Sequence, residues 1–95
     1  MRITEENANF IKDKIKQLDS NARVYLFGSR VKDNLKGGDI DILVLSDVDL
    51  SISKINKVKI AFYKQFGERK LDIVVFSNSE ESSFKSLALS EGIEL

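Results

Sequence analysis

The stretch GSRVKDNLKGGDIDILV, residues 28–44, decides how the rest of this sequence is interpreted. Its second half has the alternation of a strand, with Ile40, Ile42 and Val44 on one side and Asp39, Asp41 and Leu43 on the other. Aspartate is poor in strands, and two carboxylates on one face repel each other. The pair Asp39 and Asp41 therefore needs a physical reason to be there, and a bound cation provides one.

Magnesium suits this acidic pair, because Mg²⁺ binds carboxylates together with phosphate oxygens and waters. Residues two apart on a strand lie about 6.5–7 Å apart along the backbone, so their carboxylates can converge on one point. Asp72 is the second residue of a further predicted strand, LDIVVF, and would add a third carboxylate if the two strands are neighbours. Three acids at adjacent strand ends match a two-cation phosphoryl-transfer site. For Asp72 alone, a turn-capping role remains an equal alternative.

Gly28, Ser29 and Arg30 directly follow an apolar strand, RVYLF, and precede a predicted short helix over residues 30–35. A glycine here lets the backbone approach a phosphate, and a helix N-terminus offers free N–H groups. Ser29 adds a hydroxyl donor, and Arg30 either contacts a triphosphate or lines the surface. Taken alone, such a tripeptide is most often an ordinary tight turn. Its value comes from lying eleven residues before Asp39.

The remaining pattern predicts alternating helices and strands in the order α-β-α-β-α-β-α. Thr4 caps a first helix that ends near residues 19–21, and strands follow over residues 23–27, 39–45 and 71–76. A long helix covers residues 55–66, and a capping box from Ser77 to Glu80 opens a final helix with the apolar stripe Phe84, Leu87 and Ala88. The fold class is α/β (α+β), a small mixed sheet of three to four strands flanked by helices.

Composition limits the functions open to this chain. Ninety-five residues make one domain, residues 1–95, and a net charge of +0 argues against tight autonomous binding of nucleic acid. The absence of cysteine and histidine excludes thiolate nucleophiles, imidazole-ligated metals and Ser-His-Asp catalysis. No apolar run is long enough to span a membrane, so we expect a cytoplasmic protein.

The motifs FGSR, GGDIDILV and LDIVVF together resemble the nucleotidyltransferase superfamily that includes DNA polymerase beta. The similarity is greatest to the minimal nucleotidyltransferases (MNT proteins), including MntA-like antitoxins, and it extends over residues 22–76. Gly28 and Ser29 match the Gly-Ser pair of the family, Asp39 and Asp41 match its Asp-x-Asp motif, and Asp72 matches the third acid.

The resemblance implies a polymerase beta-like fold and transfer of a nucleoside monophosphate, with AMP from ATP expected, although another NTP remains open. The three acids would hold two Mg²⁺ ions, Asp72 would help remove the acceptor proton, and Gly28 and Ser29 would bind the β- and γ-phosphates. No extra acceptor-holding domain is expected in this chain.

The expected acceptor is a HEPN-domain ribonuclease, a toxin that the MNT protein would silence by adenylylation. Two alternatives remain open: an antitoxin that only occludes the toxin, and a subunit of a small-molecule or tRNA nucleotidyltransferase. Phe62, Tyr63 and Phe66 would form either core or a docking surface, with core favoured, and homo- or hetero-oligomers remain open.

Overall fold

The computed structural model describes residues 4–27, 40–67 and 70–95. In these residues the elements are α1 (Glu5–Leu18), β1 (Arg23–Phe27), β2 (Ile40–Leu45), α2 (Ile52–Phe66), β3 (Leu71–Phe76), α3 (Ser83–Glu91) and β4 (Ile93–Glu94). The predicted α+β class with a small mixed sheet is confirmed. The helix predicted over residues 30–35 lies outside the described residues.

One four-stranded sheet organises the described part of the chain, in the order β3-β2-β1-β4. β2 pairs with β3 in parallel, whereas β1 pairs antiparallel with both β2 and β4. The α2 helix supplies the crossover that two parallel strands require. β4 was not predicted from the sequence, because a two-residue strand is too short to show any periodicity.

The core lies on both faces of this sheet, which explains why β2 is apolar almost throughout. On one face, α1 and α2 cover Val24, Leu26, Ile40, Ile42 and Val44. On the other face, α3 packs through Ala88 against a smaller cluster that includes Leu43 and Leu45. The alternation expected from the sequence for residues 40–44 is therefore confirmed.

The aromatic residues of α2 belong to the core rather than to a docking surface. Phe62 is fully buried, and its ring centroid lies 6.2 Å from that of Phe10 and 5.0 Å from that of Phe66. Phe66 also meets Phe10 edge-on at 5.3 Å. This packing joins α1 to α2 and confirms the core interpretation of Phe62 and Phe66.

The start of the last helix differs from its prediction. Ser77 and Glu80 do form a reciprocal turn, since the Ser77 N–H donates to Glu80 Oε1 at 3.3 Å and the Glu80 N–H donates to the Ser77 carbonyl at 3.3 Å. The helix nevertheless begins at Ser83, with Ser82 as the N-cap for the Lys85 N–H. A capping pattern needs an apolar stripe directly behind it, and residues 78–83 are all polar.

The end of the sheet at the C-termini of β2 and β3 is tied by side-chain hydrogen bonds. Ser46 donates to Asp19 Oδ2 at 2.6 Å, and the Asn78 side-chain amide donates to Asp47 Oδ2 at 3.1 Å. The buried Lys85 ammonium donates to three carbonyls, those of Ser77 at 3.0 Å, Asn78 at 3.1 Å and Glu80 at 2.6 Å. This end of the fold is occupied by structural contacts.

Gly92 allows β4 to return to the sheet directly after α3. A Cβ atom at this position would lie 2.6 Å from the Ala88 carbonyl oxygen and 3.0 Å from the Leu26 carbonyl oxygen. Only glycine accepts so close a backbone approach without a shift. The Arg23 guanidinium then holds the strand with two hydrogen bonds to Glu94, at 3.0 and 3.2 Å, which lower the pKa of Glu94.

Candidate active site

The opposite end of the sheet brings together two of the acids singled out in the sequence. In the β2–β3 register Asp41 pairs with Asp72, and in the β1–β2 register Phe27 pairs with Asp41. Directly paired residues of neighbouring strands project from the same face, with strands about 4.8 Å apart. Phe27, Asp41 and Asp72 therefore form one row across three strands, on the face that α3 covers.

This placement follows from the local sequence. Ile40 and Ile42 direct their side chains into the core beneath α1 and α2, so the strand alternation turns Asp41 to the other face. On the neighbouring strand, Ile73 packs against the same core, so the adjacent residue Asp72 also projects from the other face. A one-residue slip between β2 and β3 would turn these carboxylates toward the core, which opposes such a change of register.

Asp72 is accessible rather than engaged in the core. Its side chain is 47% exposed, and Lys70 Nζ lies 3.8 Å from its Oδ2 atom. An exposed ion pair of this length contributes about 0–1 kcal/mol. Asp41 is half-buried between its two neighbouring strands. The carboxylate of Asp72 is thus available to a ligand at little energetic cost.

Four of the predicted site residues, Gly28, Ser29, Arg30 and Asp39, lie outside the described residues. The residue before Gly28 is Phe27 and the residue after Asp39 is Ile40, and both of these lie at the end of the sheet that carries Asp41 and Asp72. Convergence of all three acids remains a prediction. Within residues 4–27, 40–67 and 70–95, no group of three His, Cys, Asp or Glu side chains is placed to hold a metal ion.

The donor chemistry of the described pair suits a hard cation. Carboxylate oxygens from two adjacent strands are ligands that Mg²⁺ accepts, with phosphate oxygens and waters completing its shell. Thiolate and imidazole ligands are absent from the chain, because it contains no cysteine or histidine. The residues at this edge therefore fit a hard cation such as magnesium better than a metal that prefers thiolate or imidazole ligands.

Phe84 was predicted as part of an apolar helix stripe, and the structure shows a different environment. Its side chain is 47% exposed, Leu87 is 57% exposed, and only Ala88 of the predicted stripe is buried. The Phe84 ring meets Phe27 edge-on, with centroids 5.4 Å apart. Phe27 belongs to the row with Asp41, so Phe84 contacts that row through Phe27, and its ring also lies 6.1 Å from that of Phe76 at the other end of β3. No sequence signal separates such a ring from a core residue.

A family model for the nucleotidyltransferase domain matches residues 9–95. The chain belongs to this family. Its α+β fold and its mixed sheet agree with the polymerase beta-like nucleotidyltransferases that the motifs resemble. A search of the curated proteins finds no match.

Membership in this family indicates the general reaction that the domain carries out. A nucleotidyltransferase domain moves a nucleotidyl group from a nucleoside triphosphate to an acceptor, and the family generally uses Mg²⁺. The domain match ends at the last residue and includes every described element except the start of α1. Among the described helices of this nucleotidyltransferase, none has both the length and the apolar character needed to cross a bilayer.

Proposed function

We propose that this nucleotidyltransferase transfers AMP from ATP to a hydroxyl group of a partner protein. The observation that carries the proposal is the pairing of Asp41 with Asp72 on one sheet face, beside Phe27. The resemblance to minimal nucleotidyltransferases supports a HEPN-domain ribonuclease as the acceptor, so that the protein would act as the antitoxin of a HEPN/MNT pair. Cytoplasmic location is part of the same proposal.

The acids would do two jobs in this reaction. Asp39, Asp41 and Asp72 would hold two Mg²⁺ ions, which when bound neutralise triphosphate charge and lower the pKa of an attacking hydroxyl. Asp72, with its half-exposed carboxylate, would also accept the proton of the acceptor hydroxyl. The hydroxyl oxygen then forms a bond to the α-phosphorus, the bond from that phosphorus to the bridging oxygen breaks, and pyrophosphate leaves.

The nucleotide would be positioned by the Gly-Ser-Arg motif and by an exposed aromatic ring. Gly28, Ser29 and Arg30 would bind the β- and γ-phosphates through N–H, hydroxyl and guanidinium donors. The exposed ring of Phe84 would offer the base a stacking surface on the same sheet face. Positioning and charge neutralisation then supply the catalysis, which explains how the chain manages without histidine.

The direct test is transfer of label from α-labelled ATP, in the presence of Mg²⁺, to the purified product of the neighbouring gene, which the proposal expects to be a HEPN-domain protein. We expect labelled partner and a loss of its ribonuclease activity, and we expect Asp41→Asn to abolish both. Asp49→Asn is the matched control, because Asp49 is exposed in the connection after β2, at the other end of that strand. Inhibition of an unlabelled partner would instead establish an occluding antitoxin, and label on tRNA or a small molecule would refute the protein acceptor.

A further inference from the structure

One edge of the sheet is open for pairing along β3. β3 is the terminal strand of the described sheet, and its backbone hydrogen bonds to β2 use alternate residues. The Ile40 N–H donates to the Lys70 carbonyl at 2.8 Å, and the Ser46 N–H donates to the Phe76 carbonyl at 2.9 Å. The backbone N–H and C=O groups of the even-numbered residues of β3 therefore point toward β2. The backbone groups of Ile73 and Val75 point to the outer edge, where no described strand pairs with them.

Tyr63 closes this edge at one end. The Leu71 N–H donates to the Tyr63 hydroxyl at 3.1 Å, and that hydroxyl donates to the Leu71 carbonyl at 3.5 Å. The side chain from α2 thus takes the place that a neighbouring strand would occupy at Leu71. Ile73 and Val75 remain, which is the length of edge that a short extended segment needs for several main-chain hydrogen bonds.

An apolar groove of about 270 Å³ runs beside the open edge, between β3 and α2. Its lining includes Leu50, Ile52, Ile73 and Val75, together with the side chain of Lys59. Ile52 is 80% exposed, which is unusual for so large an aliphatic side chain next to other apolar residues. A protein segment with alternating side chains fits such a groove better than a nucleic-acid backbone does.

The positive charge of α2 indicates which kind of protein segment would bind in this groove. The helix contains four lysines, Lys54, Lys57, Lys59 and Lys64, and no acidic residue. None of them forms an ion pair with a described residue. A second copy of this chain, paired through β3 about a two-fold axis, would bring two such helices together with like charges opposed. An acidic partner is complementary to the same surface.

We propose that the β3 edge and the α2 groove bind an extended acidic segment of the acceptor protein and place one of its hydroxyl side chains beside Asp72. The placement of a hydroxyl beside Asp72 rests on the proposed function, whereas the binding of an extended segment rests on the open β3 edge alone. In a strand paired with Ile73 and Val75, the residue opposite Asp72 projects from the same face as Asp72. Cross-strand Cβ atoms of this kind lie about 4.5–5.5 Å apart, within reach of a proton transfer.

Binding is tested without nucleotide, so that its failure is separate from a failure of catalysis. The probe is the nine-residue peptide VEVESEVEV with blocked ends, in which the serine lies on one face and the glutamates on the other, so that a serine beside Asp72 leaves the glutamates facing α2. Its comparison is the same peptide with lysine in place of glutamate. We expect the amide resonances of Ile73 and Val75 to shift most on addition of the acidic peptide. The lysine peptide should bind at least tenfold more weakly.

Two variants of the edge decide whether main-chain pairing carries the binding. Val75→Pro removes an outward N–H and no hydrogen bond to β2, although it also replaces a side chain that lines the groove. Proline is tolerated at such edge positions, so β2–β3 pairing should persist and peptide binding should be lost. Val75→Thr keeps the N–H and should bind as the wild type does. Should the proline variant lose its dispersed amide spectrum, Ile52→Glu serves instead, because the site is exposed and acidic residues suit a helix start.

Two charge-reversal variants of α2 complete the test. Lys59→Glu should weaken acidic-peptide binding at least fivefold, whereas Lys54→Glu, the same change on the opposite flank of the helix, should alter it less than twofold. The proposal is overturned if Val75→Pro or Ile52→Glu leaves binding unchanged, or if the largest shifts lie away from β3. Tighter binding of a twelve-residue oligothymidylate, or concentration-dependent self-association through β3, would also overturn it. Label transfer to the peptide serine then tests the hydroxyl separately.

Discussion

Replacing Asp72 by asparagine should remove most of the ligand-induced stabilisation while leaving the ligand-free protein almost unchanged. Without ligand, two small effects oppose each other. The variant loses the exposed pair with Lys70, at 3.8 Å, which contributes about 0–1 kcal/mol. It also loses the repulsion from Asp41, its cross-strand neighbour, which is of similar size. We therefore expect the free energy of unfolding to change by less than about 1 kcal/mol.

With Mg²⁺ and ATP, the wild-type protein should be much more stable than it is alone. At a free ligand concentration one hundred times Kd, binding adds about 2.7 kcal/mol. For a domain of 95 residues, each kcal/mol raises Tm by about 4–8 °C, so the wild-type shift should reach about 10–20 °C. A hundredfold loss of affinity in Asp72→Asn would leave about 0.4 kcal/mol at the same concentration, or about 2–3 °C.

The assay is thermal unfolding followed by circular dichroism in four conditions: no ligand, Mg²⁺ alone, ATP with a chelator, and Mg²⁺ with ATP. Asp49→Asn is the control, because it removes one exposed carboxylate from the other end of the sheet and should shift as the wild type does. If Asp72→Asn retains the full shift, its carboxylate takes no part in binding Mg²⁺ and nucleotide. If the ligand-free variant is destabilised by more than about 2 kcal/mol, Asp72 is a structural residue.

Three further predictions concern the scaffold. Phe62→Ala should cost about 3–5 kcal/mol, because it empties a fully buried ring site between α1 and α2, and a loss below about 1 kcal/mol in urea unfolding would contradict this packing. Lys85→Met should cost about 2–4 kcal/mol by leaving three carbonyls without their donor, and equal urea midpoints for the two proteins would show that the ammonium bonds are dispensable. The hydrogen bonds from Asn78 lower the pKa of Asp47. Their contribution to the free energy of unfolding is therefore present above the ordinary aspartate pKa of about 3.9 and is lost as pH falls through the lower pKa of the folded state. Asp47→Asn should flatten the pH dependence of stability in that range, and an unchanged pH dependence would show that these hydrogen bonds do not cause it.

Much of the fold could be predicted because its signals are local. The limits of β1 and β3 agree with the predicted strands, and Thr4 caps α1 as expected. The exceptions have a common cause. The start of α3 and the environment of Phe84 depend on which residues meet after folding, and a capping box or an apolar stripe looks the same in sequence whether or not it is used.

The sequence by itself determined which chemistry is open to this protein: carboxylates without histidine or cysteine, and a strand alternation that sets Asp41 apart from the core. Only the tertiary structure decided that Asp72 stands beside Asp41, because strand order and register depend on the burial of both sheet faces rather than on any local signal. The same holds for the open edge at Ile73 and Val75. Which strand forms the edge of a sheet is determined only by the pairing of all its strands.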